Sequence, residues 1–133
     1  MSTETTNSRV AASIDNRYKV TSVARTHSAV CDEPIELGGT DEAMDPTELF
    51  LSALASCKLA TMRMVAHRKG WNTTGMTISL EIQKEQDTNT ILQTITFPDE
   101  LTMEQRDRLT TISHKCPVAK IVTGELHILD TTE

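Results

Sequence analysis

The feature that most constrains this chain is the stretch between Asp45 and Gly70, which contains no glycine and only one proline, Pro46, at its start. Asp45-Pro46-Thr47-Glu48 puts Asp45 at an N-cap, Pro46 at the first helical position and Glu48 at the third, the arrangement of a capping box. Leu49 to Lys69 is rich in Leu, Ala and Met, and Gly70 is a natural stop. His67, Arg68 and Lys69 suit the negative end of a helix dipole. The spacing predicts a helix of about 24 residues, roughly 36 Å long at 1.5 Å per residue. Being apolar almost all round through Ala60, it should be central and heavily buried. It does not approach the roughly 20 apolar residues of a membrane span.

Shorter elements flank it. Residues 1–14 read as a mobile polar tail and 15–133 as one domain, which a chain of 133 residues accommodates. Arg17 to Arg25 alternates, and His27 to Cys31 can pair with it in a hairpin despite a poor turn signal. Asp32-Glu33-Pro34 stops that run, and Leu37 to Asp41 reads as a flexible loop. Met76 to Lys84 alternates Met76, Ile78, Leu80 and Ile82 against polar residues. A turn near Asp87-Thr88-Asn89 leads into Ile91 to Phe97, completing an antiparallel hairpin. Thr102 and Gln105 form a second capping box, opening a helix to about Lys115. Pro117 interrupts it, a short turn covers Val118 to Val122, and Leu126 to Asp130 reads as a last strand. Grouped strands with two helices make the fold class α+β.

Charge narrows the function. The net charge of −6 and the absence of any Lys/Arg run disfavour nucleic acid and acidic membrane surfaces as partners. The first residues lack an apolar signal region, which points to the cytoplasm. In that compartment Cys31, Cys57 and Cys116 read as reduced, catalytic or buried thiols rather than a disulfide framework.

A thiol becomes a nucleophile as its thiolate, so what stabilises charge at each sulfur decides its use. Cys116 precedes Pro117 and can cap the segment that follows, where a helix N-terminus lowers a thiol pKa. Cys57 lies about three turns into its helix with no such end nearby. These considerations make Cys116 the more acidic of the two. The plainer alternative for each is a buried cysteine acting as a small hydrophobe. His67, His114 and Cys116 lack metal-ligand spacing, so neither a metal nor another cofactor is expected. Nine positions at about 100° each place Glu48 about 180° round the helix from Cys57, so capping suffices to explain it.

The residues then resemble a family. Asp32-Glu33-Pro34 with Gly38-Gly39, followed by Pro46-Thr47-Glu48-Leu49 and Ala53-Leu54-Ala55-Ser56-Cys57, is similar to the signature of OsmC/Ohr proteins. Met62 to Trp71 fits the end of their central helix, and Lys115-Cys116-Pro117-Val118 matches their second cysteine motif. The resemblance covers roughly Arg25 to the C-terminus. It implies an intertwined homodimer with central long helices and outer sheets. It also implies that Cys57 attacks a hydroperoxide and becomes a sulfenic acid, and that Cys116 resolves it to a disulfide reduced by an external dithiol. Organic hydroperoxide resistance proteins carry a Glu where this chain has Thr47, paired with an Arg for which Arg17 and Arg25 are the candidates. With that departure the chain looks closer to the uncharacterised OsmC-like branch.

The leading expectation is thiol-dependent reduction of organic hydroperoxides through Cys57 and Cys116, with Arg17, Arg25, Thr47 and Glu48 as supporting candidates. A non-catalytic dimer acting as redox sensor is the alternative. A binder of a small apolar molecule beside Phe50, Leu54 and Met64 is another. Cys31 reads as a bystander.

Overall fold

In a computed structural model describing residues 7–131, the chain forms an α+β fold of two small antiparallel sheets and three helices. It divides into two compact units, residues 1–50 and 51–133.

The first unit holds a three-stranded meander, β1 (Ala11–Ile14), β2 (Val20–Ala24) and β3 (His27–Cys31), in spatial order 1-2-3. β1 corrects the reading of residues 1–14 as tail throughout, because Ala11 to Ile14 pair with Val20 to Val23. Residues 1–6 of that tail lie outside the described residues. Ala24 pairs with His27, leaving a two-residue turn in which Arg25 takes φ 57°. After β3 the loop folds around Asp32, which is buried. Its carboxylate accepts hydrogen bonds from the Glu33 amide at 2.8 Å, the Thr40 hydroxyl at 2.6 Å and the Glu42 amide at 3.1 Å. Gly39 packs so closely here that a Cβ would run into the Glu33 carbonyl and the Asp32 carboxylate. The Asp-Glu-Pro and Gly-Gly signatures are therefore two sides of one knot, a buried anion and the backbone wrapped onto it.

The long helix α1 (Pro46–Arg68) opens with the predicted reciprocal cap. The Asp45 amide donates to Glu48 Oε1 at 2.9 Å and the Glu48 amide donates to Asp45 Oδ1 at 2.8 Å. An 18-residue window of α1 has a mean hydropathy of 1.4, which makes the helix long and apolar enough to cross a membrane by length and composition, contrary to the sequence reading. The reason is its Leu, Ala, Met and Val content, which outweighs the scattered Lys58 and Arg63. Burial is nevertheless confined to the stripe Leu54, Lys58, Met62 and Ala66, spaced at i, i+4, as for a helix packed on one side.

In the second unit β4 (Thr77–Glu85) pairs with β5 (Thr88–Thr96) in full register from Thr77–Thr96 to Glu85–Thr88. Ile78, Leu80, Ile82, Ile91 and Ile95 are half-buried while Thr77, Ser79 and Glu81 face outward. Helix α2 (Met103–Ser113) carries both bonds of its Thr102–Gln105 capping box. α3 (Pro117–Thr123) follows. Met62 and Ala66 of α1 pack with Leu101, Leu109 and Ile112 to form the main core, against which Trp71, Ile95 and Phe97 lean. The strand expected over Leu126–Asp130 is absent: these residues form no strand pairing among the described residues and are exposed. Alternation alone does not make a strand where no neighbouring edge is available to accept it.

Candidate functional site

Two thiols meet in the second unit. Cys57 projects from α1 and is half-buried; Cys116 is the N-cap of α3 and fully buried. The local sequence dictates the second placement. Pro117 lacks the N–H that would continue α2 and fits the first position of a new helix, so Cys116 turns extended, at φ −68° and ψ 148°. The two side chains pack together with Leu54 and Ala119, lined by Leu80, Ile91 and Val118. The first turn of α3 serves both sulfurs: the Val118 amide donates to Cys57 Sγ at 3.5 Å and the Ala119 amide to Cys116 Sγ at 3.4 Å.

Cys116 occupies the expected cap, but it is not the acidic thiol that position suggests. Burial pushes its pKa up; the Ala119 amide pulls it back, Cys57 pushes it up again and Lys58 opposes. Desolvating a thiolate in an apolar cluster outweighs one amide bond. Burial likewise pushes up the thiol of Cys31 in the first unit, helped by Asp45 and Glu33.

Lys58 escaped the sequence reading, although a lone cation beside Cys57 in an otherwise apolar helix segment is a visible signal. It is buried, and its ammonium donates to the Ser113 carbonyl at 3.1 Å, at the C-terminus of α2. Ser113 is itself buried and its hydroxyl accepts from Gln93 Nε2 at 3.0 Å. Gln93 is the polar member of the inward face of β5, and this bond accounts for it.

The four supporting candidates belong to the first unit. Arg17 donates from Nη2 to the Gly38 carbonyl at 2.6 Å, and its amide donates to Asp15 Oδ1. Arg25 is the exposed turn residue between β2 and β3. Thr47 is exposed in the first turn of α1, and Glu48 is held by its cap. Of the apolar trio, Leu54 is buried beside Cys116, Met64 is exposed, and Phe50 belongs to the first unit. Among the described residues no group of three or more His, Cys, Asp or Glu side chains is placed to hold a metal ion. An open groove of about 430 Å³, lined by Arg63, His67, Trp71, Asn72 and Thr73, includes neither Cys57 nor Cys116.

Fold and site thus define an α+β protein in which a half-buried thiol on a long helix packs against a buried thiol at a helix cap. The profile of the OsmC-like protein family matches residues 39–128. The chain belongs to that family. Its fold is similar to a protein of Psychrobacter arcticus 273-4 described as a putative osmotic stress induced and detoxification response protein. The two are 24% identical over 88% of each chain, with a TM-score of 0.73. An OsmC-like protein of Mycoplasma pneumoniae gives 0.70 at 16% identity, over 90% of this chain and 89% of that one. The organic hydroperoxide resistance protein OhrB of Bacillus subtilis gives 0.63 at 18%, over 91% and 93%. No curated protein matches the sequence.

Proposed function

We propose that this protein reduces organic hydroperoxides with its paired thiols, Cys57 attacking and Cys116 resolving. The observation that carries the reading is the contact between two thiols from separate elements, one half-buried and the other fully buried. A thiol that meets a substrate must be reached from outside; one that meets only a neighbouring sulfur need not be. The names of structural neighbours in Legionella pneumophila and Bacillus subtilis, both organic hydroperoxide resistance proteins, support the substrate class.

The cycle balances in three steps. The Cys57 thiolate attacks the peroxide O–O bond of ROOH, giving Cys57–SOH and an alkoxide that takes a proton to become ROH. Cys116 then attacks the sulfenic sulfur, forming Cys57–S–S–Cys116 and releasing the hydroxyl as water. An external dithiol exchanges with this disulfide, leaving as its own disulfide and restoring both thiols. No cofactor or metal enters. Arg17 and Arg25 are our candidates for a supporting cation, Thr47 stands at the position of the missing carboxylate, and Glu48 serves the helix cap. We place the protein in the cytoplasm, as a homodimer.

One equivalent of cumene hydroperoxide given to reduced protein should produce a Cys57–Cys116 disulfide in the peptide map. Dithiothreitol-driven consumption of the peroxide should vanish in Cys57→Ser. Free thiols after the pulse would overturn the reading. The complete burial of Cys116 favours one rival, a redox sensor or non-catalytic dimer with packed cysteines. In that case Cys57→Ser leaves peroxide consumption unchanged.

A further inference from the structure

Lys58 is the only cationic side chain buried among the described residues, and no carboxylate pairs with it there. Burying an ammonium costs several kcal/mol, of which one carbonyl at a helix C-terminus returns a part. A Met of similar length would fill the same space without that cost. The charge is thus retained against a packing argument, and its place is beside the buried thiol: Lys58 lies one turn beyond Leu54, which packs on Cys116, and its ammonium reaches Ser113, three residues before Cys116. Charged or titratable groups facing the Cys116 thiol are Cys57 and Lys58, both from α1, while α3 contributes the neutral Ala119 amide. From α2 the ammonium meets the uncharged Ser113 carbonyl, and from β5 the uncharged Gln93 reaches the Ser113 hydroxyl.

We propose that Lys58 is a positioning residue for negative charge on Cys116, holding the resolving thiolate as it attacks Cys57–SOH. The resolving role rests on the peroxide-reducing reading above. In that step Cys116–S⁻ displaces hydroxide from the sulfenic sulfur, and the proton Cys116 gave up returns to make water. The competing step is attack of the Cys57 sulfenate on a second ROOH, which yields sulfinate and ROH. Anything that lowers the thiolate population of Cys116 favours the second route.

Lys58→Gln keeps a hydrogen-bond donor for the Ser113 carbonyl and removes the charge, while Lys58→Arg restores it. In reduced protein, cysteine Cβ resonances followed against pH read each thiol separately, with Cys31→Ser and Cys57→Ser for assignment. The Cys116 midpoint should rise in Lys58→Gln, with at least about threefold less thiolate at a pH well below it, and return in Lys58→Arg. A folded Lys58→Gln with an unmoved midpoint overturns the proposal, because a purely structural lysine predicts that result. Should Lys58→Gln not fold, the Cε resonance of Lys58 in the unmodified protein must inflect at the Cys116 midpoint; a flat signal overturns the coupling. With excess cumene hydroperoxide, Lys58→Gln should accumulate at least threefold more Cys57 sulfinic acid, a gain of about 32 Da. If the unmodified protein is not oxidised at all, the peroxide reading and the resolving role fall together. The resonance midpoints still decide the charge coupling.

Discussion

Asp32 is buried yet holds its carboxyl down at a pKa of about 2, with the Thr40 hydroxyl as the largest cause and the Glu42 amide next. A folded-state pKa below the ordinary 3.8 means that the unfolded chain binds this proton more readily. The stabilisation is therefore complete above pH 4 or so and is lost as pH falls towards about 2. We expect acid unfolding of the protein to steepen across that window and Asp32→Asn to flatten it, as read by circular dichroism against pH. The same residue-scale logic explains what was and was not legible in the thiol pair. Both cysteines stood out in the sequence, and the cap geometry of Cys116 followed from Pro117. Its raised pKa did not follow, because burial comes from Leu54, Leu80 and Ile91, which are remote in sequence. Lys58 was equally hidden in its role: the chain shows a lysine after Cys57 but not the α2 carbonyl that receives it.

At the scale of elements, signals confined to a few consecutive residues translated directly. Both capping boxes form, since each needs only four residues to find one another. Thr102→Ala removes the hydroxyl that accepts the Gln105 amide, at a cost of about 1 kcal/mol and a drop of about 4 °C in Tm, measurable by differential scanning calorimetry. The β4–β5 hairpin was equally visible through its alternation. Its turn was misplaced by about a residue, because the left-handed position falls on Gln86, at φ 56°, and not on a glycine or asparagine. Arg25 repeats this in the β2–β3 turn, which is why that turn gave so poor a signal. β1 was missed for a different reason. Ala11 to Ile14 is exposed on both faces and carries no apolar pattern, so only its pairing with β2 reveals it.

For the whole molecule, the unmet expectation of a last strand carries information of its own. Leu126, Ile128 and Leu129 are 61%, 88% and 87% exposed, a contiguous apolar segment with unpaired backbone among the described residues. Such segments are costly in a lone soluble chain, and burial against another surface relieves both the apolar area and the free hydrogen-bonding groups. The homodimer we propose supplies that surface. Sedimentation equilibrium should then give twice the 14.7 kDa chain mass at micromolar concentration. Replacing Leu126, Ile128 and Leu129 together by Ser should shift the mass towards one chain. Each buried aliphatic side chain contributes about 1.5–3 kcal/mol, so the triple variant should weaken association by several powers of ten. A triple variant that stays dimeric would remove this segment from the interface, and an unmodified chain sedimenting as a monomer would remove the dimer. Between those outcomes the segment decides whether the second unit completes its sheet within one chain or only across two.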